Sequence, residues 1–167
     1  AIASSFRPLD GDVSVDDGTT LAAAEARSFR RAFVSYSSKD TVQATLIANG
    51  LKAGNPGLEF FLDVDGMRAG ENWRARICDC IRECDLFVLV WSGNAKASPE
   101  VENEWQYALL QGQMGLSGGP TFHPVAIEGP PIPLPPAELA HLNFRDPLQY
   151  VRAAELAVTR ASPSTSA

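Results

Sequence analysis

The sequence predicts a doubly wound parallel sheet of four to five strands with helices on both faces. Three observations carry this. Short β-branched and aromatic runs alternate with longer segments of helical period through most of the chain. The run Leu86-Phe87-Val88-Leu89-Val90-Trp91 is apolar throughout, which suits a central parallel strand covered on both sides. Trp73, Ile77, Cys80, Ile81 and Cys84 step i, i+4, i+7, i+8, i+11, the stripe of a helix with one buried face.

The elements follow in order. Residues 1–28 are rich in Asp, Gly, Ser, Thr and Ala and read as a polar arm, with a short helix at Leu21 to Arg27. Ala32-Phe33-Val34-Ser35-Tyr36 is the first strand. Ser37 to Asp40 turns the chain into a helix from Thr41 to Lys52, which Gly54 and Pro56 close. Glu59 to Val64 is the second strand, and the helix headed by Trp73 leads to the third. Ser98-Pro99 opens the next helix, since serine caps well and proline suits the first helical position. That helix runs to Gln113 with Val101, Trp105, Ala108 and Leu109 on its core face. A fourth strand lies at Phe122 to Ile127, a proline-rich connection at Pro130 to Pro136, and a short fifth strand at His141 to Phe144. Asp146-Pro147 starts a last helix ending at Arg160, and residues 161–167 have linker composition. The domain proper is thus residues 29–160, in a flavodoxin-like arrangement.

Composition narrows the function. At 45% hydrophobic and 20% charged, the chain has the balance of a globular protein with a real core. Its net charge of −6 repels polyanions, which argues against nucleic acid as a partner. No apolar run has the length of a membrane span, and the first residues lack the pattern of a secretory signal. Cys78, Cys80 and Cys84 are an odd set clustered in one helix, a poor disulfide framework that points to reduced thiols and a cytoplasmic setting. Their spacing is not that of a zinc site, and His123 and His141 stand apart from them and from each other, so no metal is expected.

In sheets of this kind, ligands sit beyond the carboxyl ends of the strands. The segments there are Tyr36 to Asp40, Asp63 to Trp73, Trp91 to Ser98 and Glu128 onward. A phospho-receiver would need an acidic pair after the first strand and an aspartate ending the third; those places hold Tyr36-Ser37 and Trp91-Ser92. A phosphate-cradling loop would need glycines after the first strand, and Ser37-Ser38-Lys39-Asp40 has none.

Three stretches together resemble the Toll/interleukin-1 receptor (TIR) family, bacterial type. Phe33-Val34-Ser35-Tyr36-Ser37 with Asp40 is similar to its first box. Asp63-Val64-Asp65-Gly66-Met67-Arg68-Ala69-Gly70-Glu71-Asn72-Trp73 resembles the family's BB loop. Val88-Leu89-Val90-Trp91-Ser92, followed by Ala95, Ser98, Val101, Glu104 and Ala108, is similar to the strand and helix that carry the catalytic glutamate of enzymatic members. The resemblance spans Phe29 to Arg160. It implies an NAD glycohydrolase or cyclase that releases nicotinamide and leaves ADP-ribose or a cyclic isomer. NAD is then substrate, and no cofactor is needed. The resemblance further implies a bacterial defence or signalling effector, self-association with other TIR domains, and additional domains in a longer parent chain.

Residue by residue, the resemblance assigns catalysis to Glu104. From pattern alone Glu104 borders the buried stripe of its helix and reads as a boundary charge. Tyr36 and Ser37 either line the nicotinamide-ribose pocket or simply end a strand. Asp40 belongs to the same box, and the resemblance implies that it too helps bind substrate. Asp65 caps the loop or touches substrate, and Arg68 pairs with a phosphate or is solvated. Gly70 supplies a backbone conformation that other residues resist. Trp73 reads more as core than as a stacking ring, because it heads an apolar stripe. Many enzymatic members carry an aromatic residue four positions before the glutamate; here that position is Glu100, and Trp105 points roughly 100° away from Glu104 around the helix. Two other functions stay open: a non-catalytic TIR module that recruits other TIR domains, and a nucleoside deoxyribosyltransferase-like enzyme on a related fold.

Overall fold

Alternation along the strands decides which side chain meets which layer. The computed structural model describes residues 29–62, 72–114 and 118–161. The arm with its expected helix, the loop segment holding Asp65, Arg68 and Gly70, and the tail lie outside the described residues. In β1 (Arg31–Ser35), Ala32 and Val34 point to one side and Phe33 and Ser35 to the other. In β3 (Leu86–Trp91), Leu86, Val88 and Val90 share the first side, and Phe87, Leu89 and Trp91 share the second. Every residue of β3 is at most 1% exposed, which fits a central strand covered on both faces. With β2 (Glu59–Phe61) and β4 (Thr121–Ala126), these strands form an all-parallel sheet in the order β2-β1-β3-β4.

The helices divide between the two faces accordingly. α1 (Thr41–Gly54) and α5 (Leu148–Ala161) cover one side, where Ala44, Ile47, Leu51 and Tyr150 pack on Ala32, Val34, Val88 and Val90. α2 (Trp73–Glu83) and α4 (Pro99–Met114) cover the other, where Ile77, Ile81, Val101, Trp105 and Ala108 pack on Phe33, Phe87 and Leu89. The Phe33 and Phe87 rings stack at 5.6 Å. The expected stripe of α2 is buried at Ile77, Cys80, Ile81 and Cys84, with Trp73 partly covered. Its three thiols are free, and burial pushes the Cys84 thiol up to about 12, so it stays protonated. The Ser98 hydroxyl accepts from the Val101 amide at 3.3 Å, the cap expected for α4.

Three expectations need correction. The fifth strand does not form among the described residues. Positions 141–144 turn or run irregularly, and pairing shrinks to one parallel bridge between Val125 and Arg145. The Arg145 amide donates to the Pro124 carbonyl, and the Arg145 carbonyl accepts from Ala126. Pro147, two residues on, has no amide to continue a ladder. β2 covers Glu59–Phe61 as a partly exposed edge strand and does not include Leu62, while Asp63 and Val64 lie outside the described residues. Two short elements were not foreseen: a 3-10 turn at Ser38–Asp40 and α3 (Gly93–Lys96), whose cap is Ser92, with its hydroxyl accepting from the Ala95 amide at 2.9 Å.

α1 and α5 approach so closely at Gly50 that a Cβ there would lie 2.1 Å from the Tyr150 carbonyl oxygen. That is a backbone obstacle, so the helices must separate to admit any side chain. Gly50→Ala gains roughly 1 kcal/mol of helix propensity but loses more to overpacking, typically about 1–3 kcal/mol. Differential scanning calorimetry should show a lower Tm for Gly50→Ala, whereas Gly57→Ala, which meets only a side-chain oxygen at 3.7 Å, should stay near the parent. A raised Tm in Gly50→Ala would contradict the close approach.

Candidate active-site groove

The sheet order places β1 and β3 side by side with their following helices on opposite faces, the point where ligands collect in such folds. The loops leaving these strands are joined there. Asp40, 3% exposed, accepts from the Ser92 hydroxyl at 2.5 Å and from the Asn94 side-chain amide at 2.9 Å. Asn94 stands in α3, and the neighbouring Gly93 amide donates to Glu128 at 3.1 Å. The Tyr36 hydroxyl reaches sideways to the Leu62 carbonyl at 2.9 Å. The Ser37 hydroxyl accepts from the Lys39 amide at 3.4 Å and caps the 3-10 turn. These bonds tie the carboxyl edges of all four strands into one rim.

A second buried polar contact lies on the α2–α4 side. Ser35 ends β1 on the same face as Phe33, fully buried. Its hydroxyl donates to Oε2 of Glu104 at 2.6 Å. Glu104 stands on α4 in step with Val101, Trp105 and Ala108, a carboxylate in the middle of a core stripe, and is only 5% exposed. The distance is that of a charge-assisted bond between a hydroxyl and a carboxylate.

Glu104 also lines a groove of about 230 Å³ between α2 and α4. Trp73, Arg74, Ile77, Cys78 and Ile81 form the α2 wall, and Glu100, Asn103, Glu104 and Tyr107 the α4 wall. The α4 residues recur at i, i+3, i+4 and i+7, one face of a helix. The Arg74 guanidinium lies over the Trp73 ring at 5.2 Å, and among the described residues it shares the groove with the side chains of Glu100 and Glu104. A larger hollow of about 340 Å³ lies on the far side of α4, against Leu134, Pro135 and Pro136. Its ionisable residues, Lys96 and Glu102, are exposed, so the smaller groove has the chemistry.

Of the residues singled out from sequence, the structure brings Glu104 and Trp73 together in the groove. Tyr36, Ser37 and Asp40 hold the rim and are not among the groove's walls. Asp65, Arg68 and Gly70 lie outside the described residues. Trp105 is buried in the core and faces the larger hollow, so no ring from it reaches the groove; Tyr107 and Trp73 supply the aromatic surface instead. Sequence reasoning did not single out Ser35, Arg74 or Tyr107. Ser35 had a legible signal, a hydroxyl at an inward position of an otherwise apolar strand. Among the described residues no group of three or more His, Cys, Asp or Glu is arranged to hold a metal ion, and no helix is long and apolar enough to cross a membrane.

The engagement of Asp40 predicts where its loss will register. Asp40→Ala leaves the buried Ser92 hydroxyl without its acceptor and Asn94 without a partner, at a cost of about 1–3 kcal/mol. Urea denaturation should show that loss in full. A variant as stable as the parent would mean that the rim does not depend on this carboxylate.

Comparison with known proteins bears on this arrangement. No curated protein matches the chain. The sequence profile of a family described as "TIR domain" matches residues 32–157, from the start of β1 into α5, and so takes in the whole sheet, the rim and the groove. With well over half of its length matched, and with a four-stranded parallel sheet wrapped by helices on both faces, this chain belongs to the TIR domain family.

Proposed function

We propose that this TIR domain cleaves the bond between nicotinamide and ribose in NAD, with Glu104 as the catalytic carboxylate. The observation that carries the reading is a buried glutamate at a core position of α4 that opens onto a groove between two helices. A carboxylate in that setting is costly to keep unless it is bonded, and unlike buried Asp40 this one lines the groove. The resemblance to enzymatic TIR members supports the same residue.

The chemistry asks little else of the protein. The C1′–N1 bond breaks with its electron pair going to nicotinamide, which leaves neutral from a cationic ring and needs no general acid. The ribose is left as an oxocarbenium ion, as in glycoside hydrolysis. A carboxylate already in place stabilises that charge as it develops. Water then adds at C1′ and loses a proton, giving ADP-ribose; capture by an adenine nitrogen gives a cyclic isomer. At about 230 Å³ the groove suits one ring and its sugar rather than a whole dinucleotide. The remainder of NAD would extend past Trp73, and Asp65, Arg68 and Gly70 would help bind it, as the family resemblance implies. Tyr36, Ser37 and Asp40 would act through the rim.

Glu104→Gln tests the assignment. It keeps the size and the acceptor for Ser35 and removes the charge. Nicotinamide release, read by chromatography, should fall by a factor of roughly 10² or more, the scale for losing one preorganised electrostatic group. A folded Glu104→Gln protein with parental activity would remove Glu104 from the mechanism.

The second reading, a non-catalytic module that recruits other TIR domains, draws on Glu100. That residue stands on the groove wall where many enzymatic members carry an aromatic ring. Both readings include association with other TIR domains. For an NAD-consuming effector in a bacterial cytoplasm, assembly would serve as the switch, raising local concentration without new chemistry. Specific activity across a wide dilution series should therefore rise with concentration. A flat line would contradict gating by assembly, and no nicotinamide at any concentration would favour the recruiting module.

A further inference from the structure

We infer that Ser35 is a positioning residue for Glu104, its hydroxyl fixing the carboxylate in the rotamer that lines the groove. The purpose rests on the NAD-cleavage reading; the geometry does not. On the α2–α4 face of the sheet the neighbours of Ser35 are Phe33, Phe87 and Leu89. A hydroxyl gains nothing from packing there, and alanine would fill nearly the same space. A buried hydroxyl is costly unless bonded, and Ser35 bonds to Oε2 of Glu104 at 2.6 Å.

The donor also sits on a strand of the sheet, at the last residue of β1. β1 is hydrogen-bonded on both sides, to β2 and to β3, and Ser35 itself pairs in register with Leu89. A hydroxyl on such a strand holds its direction better than one on a loop. Glutamate has three side-chain torsions and needs that restraint, because a carboxylate that stabilises a developing cation must be in place before the charge appears. A hydrogen bond to the charged form also favours that form. Ser35 thus aims the carboxylate and favours its charged form without touching substrate.

The test uses Ser35→Ala, which removes the donor without adding volume, and Ser35→Cys, which is near in size and a weaker donor. Two readouts are needed. One is kcat and KM for nicotinamide release from NAD. The other, independent of turnover, is the titration of the Glu104 carboxyl carbon by 13C NMR, assigned by its absence from Glu104→Gln. In Ser35→Ala the midpoint should rise by about one pH unit or more. At the same time kcat should fall about tenfold or more with KM within about twofold, and Ser35→Cys should fall between Ser35→Ala and the parent. If Ser35→Ala does not fold, Ser35→Cys carries the comparison. An unmoved midpoint and unchanged kcat alongside a lowered Tm would overturn the inference and make Ser35 a packing residue. A moved midpoint in a protein that never releases nicotinamide would uphold the restraint on Glu104 and overturn the NAD-cleavage reading alone.

Discussion

Burial of the central strand on both faces is the constraint from which the site follows. Six consecutive apolar residues in β3 leave no side of the sheet for solvent, so helices must cover both. Covering the second face takes two helices, α2 and α4. Two helices laid side by side on a sheet leave a crevice between them, and the groove is that crevice. The same constraint brings the loops after β1 and β3 to one edge, where Asp40 joins Ser92 and Asn94. The rim and the groove are thus two results of one layered packing.

Within that packing Glu104 is the exception that energy considerations single out. Its helix neighbours in the stripe, Val101, Trp105 and Ala108, gain from leaving water. A carboxylate at the same depth loses hydration, and only bonds to charge or strong donors offset that loss. The Ser35 hydroxyl is one such donor. Domains of this size are only marginally stable, so a buried acid is an uncommon feature to keep in a core. The contrast with Asp40 is instructive. Asp40 is equally buried, but both its oxygens serve neighbouring loops, and it does not open onto the groove. Two buried carboxylates thus divide between joining the loops of the rim and lining the groove.

Much of this was legible in the sequence. β3 matched its expected bounds because an all-apolar run between helical patterns has one interpretation in a parallel sheet. The stripe of α2 was readable from spacing, and the cap of α4 from Ser98-Pro99. The fifth strand failed because a short segment before Pro147 carries no pattern strong enough to separate a strand from a single bridge. α3 and the 3-10 turn were too short to show a period. At the site, the pattern beside Val101, Trp105 and Ala108 places Glu104 at the border of the stripe, whereas it is a core position with a partner on another element. That partner is distant in sequence, and no local pattern joins Ser35 to Glu104. Asp40 is expected from the first box to serve substrate, and only its bonds to Ser92 and Asn94, distant in sequence, reveal that it joins loops.

The central claim is that NAD is held in the groove between α2 and α4, beside Glu104. The most direct test is a titration of the Glu104→Gln protein, in which NAD should persist, followed by 13C-methyl spectra of its isoleucines. Ile77 and Ile81 line the groove, and Ile47 is a buried residue of α1 on the opposite face of the sheet. The account predicts saturable shifts at Ile77 and Ile81 with Ile47 unmoved. Saturable shifts that spare Ile77 and Ile81, or no shifts at any NAD concentration, would contradict it.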